Sequence, residues 1–206
     1  MVLTAAACVN ASVSLAGRET TPSGSTTARP TSSAPVQQQQ LPQGYRRVSD
    51  GTHSLSFGVP ITWTIIDITK LEKSGTSDPA MQVQIQRIKE AGGIFLADNE
   101  SRKQSPNNFM TNVVAFCSSA PSTSIEEWKA SAQKELQLSG ATNIQISDTT
   151  LGGIPGIRMT YVLDKTTVME NAVLKSGKIC DVTLTTDQPA RYQKVFDQIT
   201  ATTQIS

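Results

Sequence analysis

The chain has four histidine or cysteine side chains, the usual zinc ligands: His53, Cys8, Cys117 and Cys180. A zinc site takes three or four such groups converging on one point, and no C-x-x-C or paired-histidine spacing gathers them. No metal site and no cofactor are expected. His53 with Cys117, or with one of many serines and an aspartate, has the ingredients of a base-activated nucleophile. That chemistry needs them within hydrogen-bond reach, and neither a nucleophile elbow nor a cysteine-protease signature surrounds any of them. His53 therefore reads as a structural or surface histidine and no catalytic residue is expected; a hydrolase alternative would rest on His53 or Cys117. Gly92-Gly93 and Gly152-Gly153 lack the strand, glycine loop and helix that cradle a phosphate, so cap and turn roles account for them.

Charge narrows the field further. The 206 residues carry 18 Lys and Arg against 17 Asp and Glu, and setting aside Arg18, Arg29 and Glu19 near the N-terminus leaves 16 of each sign. Neither a nucleic-acid surface nor a polybasic membrane patch is indicated. The aromatic stock, Trp63, Trp128, Tyr45, Tyr161 and Phe109, reads chiefly as core. The run Asn107-Asn108-Phe109-Met110 differs, because large apolar residues beside polar ones on an exposed loop suit the rim of a binding site. Phe109, Met110 and Trp63 are the candidate ligand-contacting residues.

Cys8 has chemistry of another kind. The run Met1-Val-Leu-Thr-Ala-Ala-Ala-Cys8 sets small residues just before a cysteine, as a signal peptidase with narrow subsites requires, and resembles a bacterial lipobox. Its departure is Ala5 where that pattern has Leu; the charged and apolar regions of a signal are also missing, which a start lying inside a longer signal would explain. Residues 1–16 are too short and too polar to span a bilayer. The alternative is a cytosolic protein with an incidental Ala-Ala-Ala-Cys. Residues 9–43 argue against it: Ser, Thr, Pro, Ala, Gly and Gln dominate, including the glutamine run 37–40, and such a segment cannot bury enough apolar surface to fold. Cys8 is thus the expected lipidation site, 1–8 the remnant of a lipoprotein signal, and 9–43 a tether. As a flexible chain, residues 9–42 span roughly 30 Å.

The remainder, 44–206, carries the signals of one folded domain. Leu55, Phe57 and Val59 alternate with small or polar residues, the period of a half-buried strand, which Pro60 should end; Trp63, Ile65 and Ile66 continue the stretch. Asp78-Pro79 opens a helix through Met81, Ile85 and Ile88 that stops at Gly92. Ile94–Ala97 and 112–117 read as strands separated by a polar loop. Ser124 and Glu127 form a capping box for a helix bearing Ile125, Trp128, Ala132 and Leu136, closed by Gly140. A meander of strands follows, with turns at Gly152-Gly153, Asp164-Lys165 and Ser176-Gly177. Tyr192, Val195, Phe196 and Ile199 share one face of a last helix, capped by Asp187. Strands grouped apart from helices define an α+β class, an antiparallel sheet flanked by helices. Cys117 and Cys180 fall in two of the strands; in an exported protein with Cys8 lipidated they are left to form a disulfide, or else sit as two buried thiols.

Several phrases carry a resemblance. Tyr45-Arg-Arg-Val-Ser-Asp50, then Leu55-Ser-Phe57, Pro60 and Trp63, resembles the opening of PsbP-like domains; Leu151-Gly-Gly-Ile-Pro-Gly-Ile-Arg-Met-Thr-Tyr161 and Phe196-Asp-Gln-Ile199 look like their second half. With the Cys8 run and the tether, the chain is similar to LpqN/LpqT-type actinobacterial lipoproteins. The resemblance implies a PsbP-like α/β/α sandwich and a non-catalytic, monomeric protein exported to the outer face of the cytoplasmic membrane. Its implied partners, besides the membrane, are a glycolipid or an envelope protein, with an accessory or scaffold subunit as the alternative.

Overall fold

The computed structural model describes residues 40–73, 79–120 and 124–206; Cys8, the expected tether through residue 39 and the expected cap Asp78 lie outside them. Along the chain run β1 (Tyr45–Ser49), β2 (Leu55–Pro60), β3 (Thr64–Ile65), α1 (Ile68–Lys73), α2 (Pro79–Glu90), β4 (Ile94–Ala97), β5 (Asn112–Ser119), α3 (Ile125–Leu138), β6 (Thr142–Leu151), β7 (Ile154–Leu163), β8 (Thr166–Lys175), β9 (Lys178–Thr186), α4 (Pro189–Ala201) and β10 (Gln204–Ile205).

Turn chemistry builds the second half. Gly152-Gly153, Asp164-Lys165 and Ser176-Gly177 each place two successive residues at positive φ, between 46° and 79°. That is the backbone of a two-residue hairpin whose twist matches the flanking strands, so β6 to β9 fold back on one another as a meander. β9 then pairs with β5, and the seven-stranded sheet has the order β3-β4-β5-β9-β8-β7-β6. Every neighbouring pair in it is antiparallel. A small second sheet, β1-β2-β10, is formed by the N-terminal hairpin and the chain's last strand. At its outer edge β6 is irregular, its register shifting between Thr142 and Gln145 around Asn143 at φ 53°.

Both faces of the large sheet are covered. On one, Val113 and Ala115 of β5, Val182 and Leu184 of β9, and Met169 and Val173 of β8 pack with Phe196 and Ile199 of α4 and with Phe57 of β2. On the other, Ile157, Met159 and Tyr161 of β7 and Val168 and Ala172 of β8 meet Trp128, Ala132 and Leu136 of α3. Beside them Phe95, Val114 and Phe116 meet Ile88 of α2. Each such large apolar side chain removed from water contributes roughly 1.5–3 kcal/mol. Helices on both faces of an antiparallel sheet are the expected α+β architecture. Gly156 is required by the β7–β8 pairing: a Cβ there would stand 2.1 Å from the carbonyl oxygen of Ala172.

The helix caps came out unequally. Ser124 accepts the Glu127 N–H at 3.2 Å, as expected from the capping box. Asp187 does not cap α4, which starts after Gln188 with Pro189 in its first turn and no side-chain cap. A proline there has no N–H to satisfy, and the Asp187 carboxylate turns instead to the loop before β5, where it accepts from Ser105 Oγ at 2.5 Å and from the Asn107 side chain at 3.3 Å.

Candidate functional site

The residues expected to contact a ligand belong to the interior. Phe109 and Met110 are only 3 % and 9 % exposed, because the loop's polar atoms bond to one another and turn them inward: Ser105 Oγ accepts the Phe109 N–H at 2.6 Å while donating to Asp187. Within the run 107–110 only Asn107 and Asn108 are exposed. Trp63 is buried on the α4 side of the sheet, edge-on to Tyr192 with ring centroids 6.2 Å apart, and Tyr192 donates its hydroxyl to Asp98 Oδ2 at 2.5 Å. These three residues are core packing, and none lines the cavity described below.

The nucleophile-and-base pair is not assembled either. His53 stands exposed in the β1–β2 connection at φ 55°, and the Cys117 sulfur is bonded to Cys180. The disulfide joins directly opposed residues of β5 and β9. It crosses 63 residues of sequence and fixes the seam between the meander and the N-terminal half of the sheet.

A cavity of about 450 Å³ opens on the other face, between α2 and α3. The two helices cover the sheet's flanks and leave a gap between them over its middle strands. One wall is Trp128, Ala132 and Leu136 of α3; the other is Arg87, Glu90 and Ala91 at the end of α2. Phe116 of β5, Met159 of β7 and Ile179 of β9 give an apolar floor, and Ser118, Ser119, Lys178 and Thr52 close one end. A site of this size, with one apolar wall and several convergent polar groups, has the make-up of small-molecule pockets.

Two carboxyls stand in that floor. Glu170 lies mid-strand in β8 and Asp181 mid-strand in β9, 3 % and 4 % exposed. Glu170 opposes Thr183, and Asp181 opposes Ala172, so the two acids are diagonal neighbours on one face, the spacing at which side chains on paired strands still interact. Burial pushes the Glu170 carboxyl up to about 7. It raises Asp181 well above the carboxylate range too, with the neighbouring Glu170 charge adding to the effect. Asp181 Oδ1 is buried without a hydrogen-bond partner among the described residues, as is Thr183 Oγ1. Such a floor can hold a proton between carboxyls or receive a donor from outside.

Sequence reasoning missed this pair, although a signal existed. In Thr-Thr-Val-Met-Glu-Asn-Ala-Val-Leu (166–174) and Ile-Cys-Asp-Val-Thr-Leu (179–184) a single acid stands in a strand whose other residues are all uncharged and mostly apolar or hydroxyl-bearing. A strand covered on both faces gives such an acid no water, which is the condition that marks functional carboxyls.

No protein-family profile matches the chain. No curated protein matches it either. Among solved structures, the cyanobacterial PsbP (CyanoP) of Synechocystis sp. PCC 6803 aligns with a TM-score of 0.51 and 16 % identity over 85 % of this chain and 98 % of that one. LpqN, involved in cell envelope biogenesis of Mycobacterium tuberculosis, aligns at 0.48 and 16 % over 79 % and 90 %. The Saccharomyces cerevisiae Ran-binding protein Mog1p aligns at 0.45 and 8 % over 78 % and 95 %. At these identities the likeness is one of architecture, and its conclusion is that this chain has the PsbP-like fold.

Proposed function

We propose that this protein is a non-catalytic binding module of the cell envelope, of the LpqN/LpqT type, held at a membrane by an acylated Cys8 and receiving its ligand in the groove between α2 and α3. The observation that carries the reading is the groove itself: about 450 Å³, with one apolar wall of Trp128, Ala132 and Leu136 and polar groups on the facing α2 side, the floor and the mouth. Such an arrangement selects an amphiphilic ligand, burying an apolar body while fixing a polar end. The small residues before Cys8 and the Ser-, Thr-, Pro- and Gln-rich composition of 9–43 support tethering. Among the described residues no helix is long and apolar enough to cross a membrane. The non-catalytic reading is supported by the disulfide's capture of Cys117 and the outlying position of His53.

Two measurements test it. Detergent-phase partitioning of the protein should be lost in Cys8→Ala; wild-type protein found in the aqueous phase overturns the anchor. Native mass spectrometry of protein extracted from its own cells should find a retained small-molecule mass in the wild type. That mass should be missing from Ala132→Trp, which fills the groove, or from Ser118→Trp where the first variant fails to fold. Equal content in wild type and a folded variant, including none in either, overturns the groove as the binding site.

A further inference from the structure

Resting on the groove as the binding site, we propose that its ligand presents a primary ammonium group, seated between Glu170 and Asp181, with an aliphatic body along the Trp128 and Leu136 wall. Burial, valence and charge lead to that ligand class. A carboxyl oxygen buried without a hydrogen-bond partner is costly, and Asp181 Oδ1 is in that condition among the described residues. None of the ion pairs among the described residues includes Asp181 or Glu170. An ammonium has three donors and no acceptor; it can serve both carboxyls at once, and opposite charge within a few ångströms favours their ionised forms. A divalent cation fits less well, since no group of three metal-ligating side chains occurs among the described residues. An anion finds no opposite charge in the floor.

The charged groups around the pair set the polarity of the rest of the ligand. Arg87 and Glu90 reach the groove from α2 and Lys178 from the start of β9, while α3, β5 and β7 contribute no ionisable lining residue. The interior is therefore acid and the mouth mixed, so the cation enters first and the mouth tolerates a neutral or polar remainder. With burial raising both carboxyls, the empty pair holds protons near neutral pH that an arriving ammonium displaces. Binding then tightens as pH rises through about 7.

A free alkylamine and a lysine side chain share this chemistry. Titration calorimetry on the full chain distinguishes them, using n-hexylammonium chloride, Nα-acetyl-lysine methylamide and, as the uncharged counterpart, 1-hexanol. The ammonium probes should bind at least about tenfold more tightly than hexanol and release protons on binding. They should bind about tenfold or more tighter at pH 8 than at pH 6, and lose about tenfold or more in Asp181→Asn and in Glu170→Gln, whose folding is checked by circular dichroism. The tighter of the two ammonium probes names the source. Hexanol binding as well as hexylammonium, or either folded variant binding like the wild type, overturns the ammonium assignment and leaves the groove reading standing. No binding by any probe also overturns the ammonium assignment, and the native-mass comparison then decides the groove.

Discussion

Glu170 and Asp181 are an expense to the folded state that grows with pH. Each carboxyl titrates higher in the folded protein than in the unfolded chain, so the native state holds more protons between the two values. The stability this provides is complete below the unfolded values, near 4, and is lost as pH rises through about 7 for Glu170 and higher for Asp181. Urea unfolding should show the wild type losing on the order of 3 kcal/mol between pH 5 and pH 8. Glu170→Gln, which cannot ionise, should flatten that slope and unfold at higher urea than the wild type at pH 8. A wild-type stability that rises over the same interval would contradict the burial of the pair. Tyr192 follows the same rule in the alkaline range: burial first, then its bond to Asp98, pushes the phenol up to about 12, so its contribution disappears only above pH 10.

At the scale of elements, the β5–β9 seam is where the two halves of the sheet meet, and the disulfide lies in it. By loop-closure entropy a bridge across 63 residues restricts the unfolded chain by about 4 kcal/mol. Cys117→Ala with Cys180→Ala should lower the unfolding free energy by a comparable amount, read by denaturant titration; a change under about 1 kcal/mol would show that the crosslink does not restrict the unfolded chain as loop-closure entropy requires. The elements were legible wherever local chemistry decides them. Ser124 with Glu127, Gly140, and the turns at 152–153, 164–165 and 176–177 act within a few residues, and the structure follows them. Asp187 was misread because its partners Ser105 and Asn107 are about 80 residues away, beyond any local pattern. Phe109 and Met110 were misread for a related reason: polar neighbours in sequence suggest exposure, yet those neighbours spend their hydrogen bonds on one another and fold the apolar pair under the loop. The groove was invisible for the opposite reason, since periodicity says which face of α2, α3 and the strands is apolar and nothing about the gap left between two helices on one sheet.

The whole molecule combines a balanced charge with a fold whose polar interest is buried. With 16 acidic and 16 basic residues beyond position 43, no long-range attraction draws the domain to anionic lipid. Cys8→Ala protein should therefore fail to sediment with phosphatidylserine vesicles at physiological salt, whereas acylated protein should do so whatever the vesicle charge. Sedimentation of the unacylated variant would place a basic surface where the sequence has none. This separates attachment from recognition: the N-terminal cysteine would bring the domain to the membrane, and the groove would decide what it meets there.

Molecules held side by side on a surface risk polymerising in two dimensions, and a long outermost strand offers the template for it. β6 is ten residues long and largely exposed. The kink between Thr142 and Gln145, with Asn143 turned left-handed, breaks its hydrogen-bonding edge before a neighbour's strand could zip along the full length. A crowded layer of such molecules would thereby remain a population of separate domains instead of setting into a continuous sheet.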